Sequence, residues 1–296
     1  MTPGVPYAEV IGDPIAHSKS PLIHGFWIGK LGLAAEYRAV RVTPADLTGY
    51  LASRKEDPLW RGCSVTMPLK QRVLDQLPEI RDDGVGAVNC IVPTPAGLVG
   101  YNTDVTGVRE ALAAGQQVPC EHQVSTLVDL VGTGGAARAV LAALRGLDVT
   151  VYGRDQARAD SLSDEFGPGS TYGYSAHLST LMAPAVEHDP AYPDLQPNRG
   201  ATQRYDYIFI NATCLGMTGQ AALPVRLDRY PTNTVVFDMV YDPVETPLLR
   251  EAKALGMNTV SGLVMLVGQA AQAFELFFCI PAPREHDAEL CALLTA

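Results

Sequence analysis

Four short polar clusters in the N-terminal third hold the side chains with the most obvious chemistry: His17-Ser18-Lys19-Ser20-Pro21, Ser64-Val65-Thr66-Met67-Pro68-Leu69-Lys70, Gly86-Ala87-Val88-Asn89 and Tyr101-Asn102-Thr103-Asp104. Together they offer hydroxyls, an amide, a cation and a carboxylate. That inventory suits a small polyhydroxylated molecule with a carboxylate of its own, because each ligand hydroxyl can be matched and a wrongly placed one would be left unpaired. It does not suit a metal ion. Imidazole and carboxylate ligands at helical spacing are missing, and His17 and His24 stand alone, as structural histidines usually do, so no metal site is expected.

A second cluster is of a different kind. Gly132-Thr133-Gly134-Gly135-Ala136-Ala137 matches G-x-G-x-x-A; it follows the strand-like TLVDLV and opens the helix-like ARAVLAALRGL. Glycine permits the tight turn and lets backbone N–H groups approach a pyrophosphate at the positive end of a helix. A glycine-rich turn that binds nothing is the alternative, and the flanking βαβ pattern weighs against it. About 20 residues on, where an acidic residue would hold a ribose 2′-hydroxyl, the chain has Gly153-Arg154-Asp155. Arg154 offers a fork of donors for a 2′-phosphate, which favours NADP; Asp155 pulls the other way and leaves NAD possible.

These clusters require elements to hold them. Short apolar runs alternate with longer amphipathic ones: 8–12 then 20–31, 37–42 then 44–53, 62–66 then 69–74. Each pair reads as a buried strand followed by a helix, which implies α/β architecture with a mainly parallel sheet. Residues 91–101, IVPTPAGLVGY, read as a hairpin around Pro-Ala-Gly. Residues 104–114 read as a helix, with Thr103 or Asp104 as its N-cap. YDYIFINAT and TVVFDMVY read as two more buried strands with polar ends, where a parallel sheet presents its ligand crevice. The helix at 263–278 is apolar almost all round and is expected to be buried. The 183–204 stretch, rich in Pro, Asp and Asn, reads as a surface insertion.

Composition sets the outer bounds. A chain of 296 residues accommodates one large or two ordinary domains. The formal charge of −10 disfavours nucleic acid and anionic membrane surfaces as partners. No run is long enough to span a bilayer and no secretory signal is visible, so a cytoplasmic location is expected. The six cysteines are scattered without a C-x-x-C pair and read as reduced thiols.

In order and in content, these blocks resemble the shikimate dehydrogenase family. The resemblance rests on Gly12-Asp13-Pro14 with His17 to Pro21, Val65 to Lys70, Gly86 to Asn89, Asn102 to Asp104, the Gly132 to Ala137 loop, Asn211 to Met217, Asp238 to Tyr241, and Gly262 with Met265 to Ala270. It spans nearly the whole chain. It implies an α/β protein with an N-terminal substrate domain over 1–104, completed by helices in 265–296, a Rossmann-like doubly wound NADP-binding domain over 105–264, and a cleft between them. The implied activity is the NADP(H)-linked interconversion of 3-dehydroshikimate and shikimate, a step of aromatic amino acid biosynthesis, by a monomer or homodimer.

Carried over by position, the resemblance assigns Ser18, Ser20, Thr66, Asn89, Tyr241 and Gln269 to the substrate. It assigns Gly132, Gly134, Gly135, Ala136, Arg154, Thr213, Met217, Gly262 and Met265 to the cofactor, and Lys70 and Asp104 to catalysis. By spacing alone Lys70 would be a solvent-facing lysine, Asp104 a helix cap and Met265 core filling. In the implied role, Lys70 stabilises the oxygen that gains charge on hydride transfer and exchanges its proton, while Asp104 orients the amine. Three positions depart from the family pattern: Ser64 and Gly25, where Asn is common, and Gly153-Arg154-Asp155 in place of Asn-Arg-Thr or Asn-Arg-Ser. The alternatives are a quinate or dual quinate/shikimate dehydrogenase, and a non-catalytic dinucleotide sensor on the same scaffold.

Overall fold

The computed structural model describes residues 4–82, 84–115, 125–166, 174–177 and 205–296. The chain forms two compact units, Met1–Gly107 with Leu266–Ala296, and Val108–Met265. Among the described residues no helix is long and apolar enough to cross a membrane.

The first unit is built on a six-stranded sheet of β1 (Tyr7–Gly12), β2 (Glu36–Arg41), β3 (Trp60–Val65), β4 (Glu79–Arg81), β5 (Cys90–Thr94) and β6 (Gly97–Tyr101), in the order β2-β1-β3-β5-β6-β4. Helices α1 (Ser20–Leu31) and α2 (Leu47–Lys55) make the crossovers that keep β1, β2 and β3 parallel. The expectation of a mainly parallel sheet holds for β2-β1-β3 and again for β4 beside β6, and β5 is the exception. The hairpin at Pro95-Ala96 is too short for a crossover, so β5 runs antiparallel to β6, and it is also antiparallel to β3. Nor is every short run a buried strand. β2 lies at the sheet edge, and of its residues only Tyr37 is buried.

The helix expected over 69–74 is absent too. Residues 67–73 form turns, followed by a 3-10 helix at Leu74–Gln76. The Lys70 carbonyl, which a helix would need, accepts from the Val88 N–H at 2.8 Å instead. The chain passes into the second unit within α3 (Asp104–Ala114). Thr103 holds the N-cap position of α3, its carbonyl accepting the Gly107 N–H at 3.2 Å, while its hydroxyl meets the Asn89 amide and Asn102 Oδ1 accepts the Asp104 N–H at 3.0 Å.

The second unit holds a fully parallel sheet of β7 (Ser125–Val131), β8 (Asp148–Gly153), β9 (Tyr174–His177), β10 (Tyr205–Asn211), β11 (Val235–Asp238) and β12 (Asn258–Ser261). Their order, β12-β11-β10-β7-β8-β9, is the doubly wound order whose direction reverses between the first and fourth strands. Helices α4 (Gly135–Ala143), α5 (Gln156–Phe166) and α6 (Pro247–Ala254) connect the strands. Val128, Leu130, Val140, Val151, Ile210 and Phe237 make up the centre of its core. The chain returns to the first unit within α7 (Gly262–Phe278), which is largely buried as its composition requires, and ends in α8 (Asp287–Thr295). The 183–204 stretch lies outside the described residues.

Candidate active site

In the first unit the turn after β3 carries Lys70, and the bond from Val88 N–H ties its backbone to the Gly86–Asn89 stretch. Asp82 shapes that stretch: its carboxylate accepts the N–H groups of Gly84 at 3.0 Å, Gly86 at 2.6 Å and Ala87 at 3.3 Å. Asp104 opens α3 from the opposite side. Lys70 Nζ donates to Asp104 Oδ2 at 2.5 Å, and Asn89 Nδ2 donates to Asp104 Oδ1 at 2.9 Å, so both carboxylate oxygens are held. Asn89 Nδ2 also lies 2.9 Å from Thr103 Oγ1 and 3.4 Å from Gln269 Oε1, and Asn89 Oδ1 accepts the Thr103 N–H at 2.6 Å. Asp104 and Asn89 are buried, whereas the Lys70 side chain keeps 20% of its surface exposed. The ammonium thus has an anchored side and an open side, with N–H donors left for a ligand oxygen.

Lys70, Asp104, Asn89 and Gln269 therefore converge on one cluster. Thr66 directly follows β3, Ser18 lies in the connection from β1 to α1, and Ser20 opens α1. Ser18 Oγ accepts the Ser20 N–H at 3.3 Å, and Thr66 N–H donates to Ile11 O at 2.9 Å. Among the described residues no hydrogen bond joins these three to the lysine cluster. Lys19, between the two serines, is structural: its Nζ donates to Leu294 O at 2.6 Å. The departure at Ser64 also has a structural partner, since Tyr37 donates its hydroxyl to Ser64 Oγ at 2.8 Å.

The second unit places its candidates along the carboxyl edge of the parallel sheet. Gly132 follows β7 at the point where the strand order reverses. Its φ of +128° and the Ala212 carbonyl oxygen 2.9 Å from any Cβ it could carry make glycine obligatory there. Gly134 is the N-cap of α4 and supplies no side chain, so the first N–H groups of that helix, at Gly135 and Ala136, have no side-chain cap. This is the arrangement a pyrophosphate requires. Arg154 is exposed just beyond β8. Asp155, whose carboxylate could have served a ribose 2′-hydroxyl, accepts the Arg158 N–H at 3.3 Å and caps α5 instead.

Thr213 is half-buried and Met217 exposed in the loop after β10. Gly262 opens α7 against the Met239 carbonyl. Met265 packs in the core of the unit. Tyr241, half-exposed beyond β11, has its hydroxyl pushed to a higher pKa by burial and by Asp242. Among the described residues there is no group of three or more His, Cys, Asp or Glu that could hold a metal.

Residues 10–91 match the family model described as the shikimate dehydrogenase substrate binding domain. A shikimate dehydrogenase (NADP(+)) of Sphingopyxis alaskensis is 43% identical over 98% of this chain and 97% of its own. The chain belongs to the shikimate dehydrogenase family. Among solved structures of similar fold, shikimate 5-dehydrogenase from Thermus thermophilus, in complex with NADP(H) and shikimate, superposes with a TM-score of 0.78 at 32% identity, covering 98% of this chain and all of that one. Quinate dehydrogenase from Corynebacterium glutamicum in complex with NAD gives a TM-score of 0.79 at 26% identity, covering 98% and 99%.

Reading the sequence for site residues alone overlooks two features. Arg158, four residues beyond Arg154 and in the first turn of α5, is a second exposed guanidinium. A hydrogen-bonded network joins Asn211, Thr213, Asp238 and Thr246. The available signal was a polar or acidic residue ending an otherwise apolar strand, in YDYIFIN and VVFD.

Proposed function

We propose that the protein interconverts 3-dehydroshikimate and shikimate with NADP(H). The observation that carries this reading is the hydrogen-bonded set Lys70–Asp104–Asn89–Gln269 in a chain 43% identical to a shikimate dehydrogenase. The first unit takes the substrate and the second the dinucleotide. Small molecules are the partners, with neither nucleic acid nor membrane involved, and the enzyme works in the cytoplasm as a monomer or homodimer.

NADP(H) fits the second unit through the turn at Gly132, the uncapped N–H groups at Gly135 and Ala136, and Arg154, with Asp155 committed to α5. Thr213, Met217 and Gly262 serve the rest of the molecule; Met265 backs them from the core. When bound, the reduced cofactor supplies a hydride. What this chain does is handle the oxygen and the proton. The Lys70 ammonium donates to the ketone oxygen, stabilises the charge that develops there and delivers the proton; in the oxidative direction its amine takes the hydroxyl proton. Asp104 holds the amine in place through the 2.5 Å bond, and Asn89 keeps Asp104 from turning away. Ser18, Ser20, Thr66, Asn89, Tyr241 and Gln269 receive the carboxylate and hydroxyls of the substrate.

The test is turnover followed by reduced-cofactor absorbance, with shikimate and quinate each paired with NADP+ and NAD+. Shikimate with NADP+ is expected to give the highest kcat/KM. Lys70→Ala is expected to lower kcat by roughly 10³-fold with the substrate KM little changed, because the interaction strengthens only as charge develops. No turnover of shikimate by the folded wild type with either cofactor would defeat the proposal. Preference for quinate would favour the second reading, for which the one structural motive is that the Ser64 hydroxyl at a departing position is engaged by Tyr37.

A further inference from the structure

One buried carboxylate takes no part in the steps above. Asp238 is fully buried at the last position of β11, directly across from Asn211 at the last position of β10. Its oxygens accept from three donors. Oδ1 takes the Asn211 amide at 2.9 Å and the Val240 N–H at 3.1 Å, and Oδ2 takes the Thr246 hydroxyl at 2.6 Å. An ionised carboxylate can only accept, so it dictates the direction of every bond it joins.

The consequence propagates outward. Asn211 must present its NH2 to Asp238, which leaves the second amide hydrogen for Leu215 O at 3.0 Å. Its carbonyl oxygen then faces Thr213 and accepts both the backbone N–H at 3.0 Å and the hydroxyl at 2.7 Å. Having given up its single hydroxyl hydrogen, Thr213 accepts the Leu215 N–H at 3.0 Å. Thr246 behaves alike: it donates to Asp238 and accepts the Leu249 N–H at 3.2 Å, capping α6. One acceptor-only group thus fixes an amide orientation, two hydroxyl orientations and the course of the 211–215 backbone.

We propose that Asp238 is a positioning residue for the dinucleotide: through Asn211 it holds the loop of Thr213 to Met217 in its binding conformation, touching neither cofactor nor substrate itself. The proposal rests on the assignment of that loop to NADP(H) made above. Burial pushes the Asp238 carboxyl up from its ordinary range, and the bonds from Thr246, Val240 and Asn211 oppose that.

The experiment measures NADPH binding directly, by the fluorescence of the reduced cofactor titrated into the full-length protein, beside steady-state KM values for NADP+ and shikimate. Asp238→Ala leaves Asn211 without its acceptor and is expected to weaken NADPH binding on the order of 10-fold, with the shikimate KM unchanged. Asp238→Asn is expected to recover most of this loss, because its amide oxygen can serve Asn211 and Val240 while its NH2 turns to the Thr246 oxygen. Asn211→Ala, which cuts the relay without removing the carboxylate, is expected to reproduce the cofactor-specific loss and serves if Asp238→Ala does not fold. Unchanged NADPH affinity in Asn211→Ala, equal loss of both substrates, or an Asp238→Asn as defective as Asp238→Ala would overturn the proposal. A wild type that binds NADPH but does not oxidise shikimate defeats the functional reading alone, since the binding titration still decides this one; a wild type that binds no NADPH overturns both.

Discussion

His24 supplies a prediction whose size can be worked from the structure. It is fully buried on α1, its ring stacked on Tyr37 at 3.9 Å with an interplanar angle of 1°, and Trp27, Phe274 and Phe277 complete an aromatic box. Neither ring nitrogen has a hydrogen-bond partner. Desolvation pushes the imidazole pKa down from 6.5 to about 3, so the folded protein keeps it neutral where the unfolded chain would protonate it. Between those values the unfolded state binds more protons, and stability falls as pH falls. The slope is half of its full value of about 1.4 kcal/mol per pH unit at pH 6.5, where the unfolded histidine is half protonated, and approaches the full value below that. Hence roughly 2.3 kcal/mol is lost between pH 6.5 and pH 4.5 from this residue alone.

The perturbation is His24→Phe, which keeps an aromatic ring in the box and removes the titrating group. At pH 8 its stability is set by two opposing effects of about 1–3 kcal/mol each, relief of the unpartnered nitrogens and overpacking by the larger ring, so the pH slope is the diagnostic quantity. The assay is urea unfolding at pH 8, 6.5, 5.5 and 4.5 followed by tryptophan fluorescence. Both tryptophans, Trp27 and Trp60, are buried in the first unit and report on the part of the protein that holds His24. Wild type is expected to lose about 2.3 kcal/mol more than the variant between pH 6.5 and pH 4.5. Parallel acid limbs for the two proteins would refute the reasoning.

Three further outcomes follow from the geometry. Arg154→Ala is expected to raise KM for NADP+ far more than for NAD+, because the guanidinium is assigned to the 2′-phosphate; equal effects in a steady-state comparison would remove it from that role. Gly262→Ala would drive a Cβ into the Met239 carbonyl and within 2.8 Å of Val240 O, backbone atoms that cannot swing aside, so a loss of about 2 kcal/mol or more is expected in thermal unfolding. Glu9 is fully buried, accepting Arg54 at 2.7 and 3.0 Å and the Tyr50 hydroxyl at 2.7 Å. Glu9→Gln is expected to cost about 3 kcal/mol in urea unfolding, and Glu9→Leu combined with Arg54→Leu less than that, since the pair leaves no uncompensated charge.

Much of the site can be read from the chain because its chemistry is laid out in short blocks. The strand, turn and helix around Gly132 follow from hydrophobic period and glycine chemistry, which depend on near neighbours only, and β7, α4 and β8 form where that pattern puts them. The hairpin at Pro95-Ala96 and the buried helix α7 are legible for the same reason. The antiparallel course of β5 and the edge position of β2 are not, since strand order and direction are settled by which faces can be covered at once. The turn at 67–73 went the same way: its helical pattern lost to a bond from Val88, distant in sequence.

The linear chain therefore carries an inventory: a lysine, carboxylates, amides and hydroxyls at fixed places, and a glycine loop opening a helix. The partnerships arose from folding alone. It brought Asn89 and Gln269 within 3.4 Å across 180 residues of chain, set Lys70 against Asp104, turned Asp155 onto its own helix, and buried Asp238 where three donors meet it. The physical reason is that propensity and period act over a few residues. The direction of a hydrogen bond depends on which donors and acceptors the packed chain leaves facing each other once water is gone.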